Sequence, residues 1–478
     1  MHTPFFPSLR PRLATLGRRT QQLRQQSLCH LEKVMAPFLP PGLLSQADEG
    51  PNSRERVFSV RHTFFGFLYQ VLNPKCPCRQ IVRQVQALFA LESQAQIDEG
   101  TSAYCQARKR LPLHTLFRVR AAVAAAGEKT AQLWHGLRPK LLDATTLSLP
   151  DTKKNQRAYP QSSTQKPGCG FPLLRLLGVF SLSTGLLLDY GKSNKHQHEM
   201  RQLWGLLDLF KTGDVAIADR GFCSYVLIWL LLLRQVDCVF RLHRRRPADL
   251  RRGKRLGKND RLLVWTMPPE KPAWLPRCWW KKIPMQLTVR VIRFQLCCAG
   301  YRTQSVTLVT TLLDAQKYSA QEIAQLYARR WKIELWFRDI KTSMGMEVLR
   351  CKSPQMVHKE LEMFFIAYNL IRCLIGQAGV INDVALDRIS FKGTVDSLRQ
   401  FSLAIAQARS KKKQNQLVVQ LLEVIARDEV PDRTGRIEPR AVKRRPKAFA
   451  LLKKPRHQCQ FAGKTSQGVA GENRPLLR

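Results

Sequence analysis

The chain has 478 residues, of which 44% are hydrophobic; that is enough apolar material for two to four folded domains and excludes a disordered polycation. Lysine and arginine number 79 against 35 acidic residues, and the formal charge of +44 points to a polyanionic partner, DNA or RNA, beyond any need for solubility. A bilayer fits less well: the longest apolar run, Tyr225 to Leu233, falls short of the ~20 residues that span one, and neither a secretory segment nor a basic amphipathic helix with a lipid face stands out.

Residues 1–31 form a purely basic arm, because the first acid is Glu32. Residues 20–130 carry apolar positions at three- and four-residue spacing, with breaks at Pro40, Pro41 and Pro51, and predict a helical domain. After about residue 138 the pattern changes. Lys140–Leu149 reads as a strand holding Asp143, and Leu173–Ser183 and Leu186–Tyr190 read as a hairpin around Thr184 and Gly185. A helix over His198–Lys211 leads to Val215-Ala216-Ile217-Ala218, the pattern of a strand covered on both faces. That run ends in Asp219-Arg220-Gly221, with Gly221 expected to give the backbone room, and an apolar helix follows over Ser224–Val236. The order strand, hairpin, helix, strand, helix predicts a mixed α/β sheet.

Residues 237–314 break this rhythm with strand-like stretches at Met285–Gln295 and Ser305–Leu313, a basic tract at Arg241–Arg261, and Trp265, Trp274, Trp279 and Trp280. They read as a β-rich insertion. Ser319 and Glu322 then make a capping box, with Tyr318 and Ile323 as a hydrophobic staple, and predict one helix running to about Met344 and stopping at Gly345. A second apolar helix is expected over Pro354–Gln377, and residues 431–478 read as an extended basic tail. The thirteen scattered cysteines suit reduced thiols in a cytosolic setting. Neither the Cys76/Cys78 pair nor the Cys297/Cys298 pair has zinc-finger spacing, and His196 with His198 lacks a complete tetrahedral set.

On the capped helix, Tyr327, Arg330, Glu334 and Lys341 fall within an arc of roughly 60°. One face thus lines up a phenol, a guanidinium, a carboxylate and an ammonium, which suits a site that holds a metal and gathers phosphates. The alternative is a solvated Arg330–Glu334 pair beside core aromatics. Asp219 reads either as a functional acid at the end of a buried strand or as a helix cap. Asp143 taken alone reads as readily as a polar residue at a strand bend. Taken together, Asp143, Asp219 and Glu334 are the candidates for holding two hard divalent ions, magnesium or manganese, in phosphodiester chemistry.

The segment from Tyr327 through Arg330 and Glu334 to Lys341 resembles the Tyr-x2-Arg-x3-Glu-x6-Lys signature of the DDE transposases of bacterial insertion sequences, in the branch named after insertion sequence four. Asp143-Ala-Thr-Thr and Ile217-Ala-Asp219-Arg-Gly-Phe are similar to the family's first and second acidic segments, although Ala144 stands where glycine is often expected. The tail segment Arg436–Lys447 is also similar to the family's. The resemblance covers about residues 137–455 and implies a ribonuclease-H-like mixed sheet interrupted by a β-rich insertion at about 241–305. It implies a catalytic domain over 137–385, a helical DNA-end-binding domain over 1–136, and a helical segment with a basic tail over 386–478. By resemblance, Asp143, Asp219 and Glu334 ligate two ions; Tyr327, Arg330 and Lys341 grip phosphates; Arg220 contacts phosphate; and Trp331 either stacks on a displaced base or is a core indole. The implied activity is DNA cleavage at element ends and strand transfer into target DNA, by a homodimer assembled on double-stranded DNA in the bacterial cytoplasm at the nucleoid. The alternatives are a metal-dependent nuclease that does not join ends and a transposase-derived DNA-binding protein.

Overall fold

The computed structural model describes residues 30–45, 56–91, 97–197, 199–243, 246, 249–296, 304–431, 454–455 and 458. The basic arm ahead of residue 30, His198, the Cys297/Cys298 pair, part of the Arg241–Arg261 tract and nearly all of the tail, including Arg436–Lys447, lie outside the described residues.

Helices α1 (His30–Met35), α2 (Val60–Leu72), α3 (Cys78–Leu91), α4 (Ser102–Arg110) and α5 (Leu113–Glu128) precede the first strand. The Ser59 side chain caps α2 by accepting from the His62 N–H, and α2 buries Phe64, Phe65, Phe67 and Leu68. Next come β1 (Arg138–Ser148), α6 (Lys153–Ala158), β2 (Leu173–Ser181), β3 (Leu187–Ser193), α7 (Glu199–Trp204), β4 (Asp214–Ala218), α8 (Tyr225–Leu232) and β5 (Asp237–Arg241). Gly185 turns the β2–β3 hairpin at φ +73°, where its missing Cβ also leaves room for the Arg372 guanidinium.

The strands β6 (Lys254–Gly257), β7 (Asp260–Thr266), β8 (Gln286–Leu296) and β9 (Gln304–Thr310) extend the same sheet, with α9 (Arg277–Trp280) between β7 and β8. The nine strands lie in the order β3-β2-β1-β4-β5-β9-β8-β7-β6. Strands β1, β4 and β5 are parallel, and the remaining ladders are antiparallel. This is the expected mixed α/β sheet. The strand period of two divides β4 between two layers. Val215 and Ile217 enter a core shared with the N- and C-terminal helices, whereas Ala216 and Ala218 enter a second core with α7, α8 and the tryptophans. Trp265 is buried there, and the Trp279 ring packs against Trp204 and Trp229.

The capped helix is a run of four pieces: α10 (Ala320–Ala328), a 3₁₀ turn (Arg329–Trp331), α11 (Lys332–Arg338) and a π turn (Asp339–Ser343). The capping box forms, and Gly345 ends the run at φ +81°. One even α-helix to Met344 was the expectation. The structure corrects it: the run is overwound at the 3₁₀ turn and underwound at the π turn, so it is not one even α-helix.

Helices α12 (Pro354–Asn382), α13 (Phe391–Gln407) and α14 (Lys411–Arg427) complete the described fold. By length and composition α12 is apolar enough to cross a bilayer, but 78% of its most apolar window is buried inside the protein. Glu362 on this helix is fully buried and accepts from Arg120 Nε and Tyr190 Oη at 2.9 and 2.6 Å, while Arg120 also reaches Asp189 at 2.7 Å. A buried carboxylate held this way locks α12 to α5 and β3.

Candidate active site

Two parallel strands bring the first two acids together. Leu142 of β1 lies opposite Ala218 of β4, so Asp143 and Asp219 are the next residues on neighbouring strands. The strand spacing of about 4.8 Å sets the separation of their backbones. Burial of all five β4 residues fixes the point at which Asp219 leaves the sheet. The third acid, Glu334, comes from α11, and its side chain is 43% exposed.

Arg330 is the hub of the group. It is buried, its Nη1 lies 3.9 Å from Asp143 Oδ2, and its Nη2 donates to Glu334 Oε1 at 3.3 Å. Its guanidinium also sits 5.2 Å from the Trp331 ring centre and 5.9 Å from that of Tyr327. Asp143 Oδ1 accepts from the Ala144 N–H at 2.8 Å. Burial pushes the Asp143 carboxyl up to about 6; the Ala144 N–H and Arg330 pull it down, while the negative charges of Glu334 and Asp219 push it further up. The three acids therefore share one electrostatic field. Burial likewise raises the Tyr327 phenol to about 12. For Arg330, burial favours the neutral form, but Tyr327, Asp219, Asp143 and Glu334 outweigh it and shift the guanidinium upward, so it stays charged.

Two buried polar atoms here have no hydrogen-bond partner, Asp219 Oδ1 and Arg330 Nε. An orphaned carboxylate oxygen beside two further carboxylates is the kind of hard donor that magnesium or manganese takes, so the donor set fits such an ion. Among the described residues, however, no three His, Cys, Asp or Glu groups stand close enough to hold a metal as they are placed, and Arg330 is the counter-charge that Asp143 and Glu334 share.

The remaining candidates lie around this group. Lys341 Nζ donates to Thr145 Oγ1 at 3.3 Å and to Thr146 O at 3.1 Å, just past Asp143 on β1. Trp331 is 56% exposed, which excludes the core-indole reading. Arg220 is half-buried in a 3₁₀ turn that begins directly after Asp219. Gly221 does not have the role expected of it, since a Cβ there would meet nothing within 4 Å. His196 is exposed and joins no ligand cluster among the described residues. Sequence reasoning missed Thr145 as an anchor for Lys341, although its position two residues beyond Asp143 puts it on the same strand face. It also missed Arg290, fully buried on β8, which pairs with Asp260 of β7 at 2.6 Å.

The family described as Transposase DDE domain matches residues 134–370. The chain is 26% identical over 442 residues to transposase InsG for insertion sequence element IS4 of Escherichia coli strain K12, covering 88% of this chain and 94% of that one. It is 27% identical over 239 residues to the transposase for insertion sequence element IS421 of Escherichia coli, covering 42% of this chain and 61% of that one. Among solved structures, the piggyBac transposase synaptic complex with hairpin DNA aligns with a TM-score of 0.42 at 10% identity, over 85% of this chain and 86% of the other.

Proposed function

The chain belongs to the DDE transposases, in the branch of insertion sequence IS4, and from that premise we propose that it cuts DNA at its element's ends and joins the freed 3′ ends to target DNA by two-metal phosphoryl transfer. The observation that carries this reading is the meeting of Asp143, Asp219 and Glu334 around Arg330. These carboxylates would hold two magnesium or manganese ions, which when bound stabilise the attacking and leaving oxygens of an in-line displacement. Asp219 offers its orphaned oxygen, and Glu334, on the exposed side, can swing away from Arg330. Arg330, released from its carboxylates, grips a phosphate beside the scissile bond, with Tyr327 packed behind it. Lys341 adds a second phosphate contact from its seat on Thr145 and Thr146. Trp331 presents an open indole face on which a displaced base can stack, and Arg220 contacts phosphate next to Asp219.

Around this centre we assign residues 1–136 to recognition of the element ends, 137–385 to catalysis with an insertion at about 241–305, and 386–478 to a helical segment and basic tail. Joining two ends requires two active centres, so the working form is a homodimer assembled on double-stranded DNA, in the cytoplasm at the nucleoid. The test is cleavage of a plasmid carrying the inverted repeats that flank the reading frame, with magnesium. Asp143→Asn, Asp219→Asn and Glu334→Gln should each abolish cutting and leave DNA binding intact; normal cutting by any one of them removes that residue from the mechanism. Cutting without joined product would identify a nuclease, and binding without cutting a DNA-binding derivative.

A further inference from the structure

Away from the acids, a groove of about 590 Å³ lies where α4, α6 and the segment before α12 meet. Lys109, Lys153, Lys154 and Lys352 line it with Thr152 and Ser353, and no lining residue is acidic. All four lysines are exposed. Ammonium groups gathered in one concavity repel each other, a cost relieved when a polyanion enters.

The walls of the groove are pinned to the scaffold. Thr152 Oγ1 donates to Lys352 O at 2.9 Å. Asn155, fully buried, donates to Pro150 O at 3.1 Å and to Cys351 O at 3.2 Å. A surface of lysines that served only solubility would not need its two strands of backbone clamped by a buried amide. Strand β1 links the groove to the active centre along the chain. Strand β1 runs from Asp143 past the Lys341 anchors to Ser148, whose N–H donates to Glu347 O at 3.3 Å and whose carbonyl accepts from Leu349 N at 3.1 Å. The lysines stand just beyond that point.

We propose that this groove is a second phosphate clamp, which grips the backbone of the same duplex whose scissile phosphate is held at the carboxylates. The inference rests on the transposase reading, because the duplex it grips is the one placed at that centre. Its role is positioning: it fixes the register of the duplex and reads no bases.

The experiment uses the full chain and a labelled 30-bp duplex of arbitrary sequence, with affinity measured across a salt series. Every phosphate left without its cation flattens the plot of log K against log salt by ~0.9. Lys153→Gln/Lys154→Gln/Lys352→Gln should reduce the slope by ~2–3, and the matching arginine triple should keep it. Lys411→Gln/Lys412→Gln/Lys413→Gln, on the exposed start of α14, should leave it unchanged. An unchanged slope in the groove triple overturns the clamp, as does an equal reduction in the α14 triple, which would show general charge alone. Magnesium-dependent cutting and its loss in Asp143→Asn are measured alongside. A flat groove result with normal cutting removes the clamp and leaves the transposase reading; cutting that survives Asp143→Asn removes that reading whatever the slope does.

Discussion

Arg290 connects the outer strands to the helix that carries Glu334, and Arg290→Met tests that connection. Arg290 is fully buried on β8 and holds Asp260, 5% exposed, through Nε at 2.9 Å and Nη2 at 2.6 Å. Its Nη1 donates to the carbonyls of Tyr318 at 2.7 Å, Leu312 at 3.3 Å and Asp314 at 3.4 Å, pinning the turn that leads into the capping box at Ser319. Removing one partner of a buried ion pair costs about 3–5 kcal/mol. The Tyr318 carbonyl, the best placed of the three, adds ~1 kcal/mol when it loses its donor. Arg290→Met should therefore destabilise the protein by ~4–6 kcal/mol, read as a lower urea midpoint by tryptophan fluorescence. Arg290→Met/Asp260→Leu removes the stranded carboxylate as well and should recover about 3 kcal/mol of that loss. A single variant within ~1 kcal/mol of the parent, or a double variant as unstable as the summed singles, would refute the reasoning.

Glu362→Leu strands Arg120 and the Tyr190 hydroxyl inside the core and should cost ~3 kcal/mol in the same assay; a loss below ~1 kcal/mol would show that Asp189 alone suffices for Arg120. Trp331→Ala should change stability by less than ~0.5 kcal/mol, because the indole is 56% exposed, yet weaken end-complex formation about tenfold in a gel-shift assay; equal binding would remove the stacking role. Burial, reinforced by Lys192, lowers the His358 imidazole to about 4, and Tyr159 Oη lies 2.8 Å from its Nε2. Between pH 6.5 and 4 the unfolded chain takes up a proton that the native site refuses, so stability falls as pH falls through that window. Discounted for partial solvent contact, the loss from about pH 7 to about pH 5 is ~1 kcal/mol, and His358→Gln should remove it; an unchanged pH slope would count against the burial argument.

The parts of the structure legible in the sequence are those set by local chemistry. Val215–Ala218 reads as a covered strand because four apolar residues in a row cannot alternate between core and water, and β4 lies fully buried. Ser319 and Glu322 read as a cap because the two hydrogen bonds close within one turn. What escaped depends on contacts distant in sequence. The Arg330–Glu334 pair is visible at i,i+4, but the reach of Arg330 to Asp143 follows from how α11 sits on β1. The π turn at Asp339–Ser343 coincides with the tethering of Lys341 to Thr145 and Thr146, which no helical periodicity encodes. The apolarity of α12 reflects enclosure by other helices, which composition alone does not separate from a spanning segment.

On the proposed mechanism, three carboxylates from β1, the end of β4 and α11 act as one seat for paired cations. Titration of the full chain with manganese in the presence of duplex DNA, followed by electron paramagnetic resonance, addresses it without relying on turnover. Two ions should bind per chain, with that binding lost in Asp219→Asn and sharply weakened in Asp143→Asn. Manganese held as tightly by both variants as by the parent would contradict it.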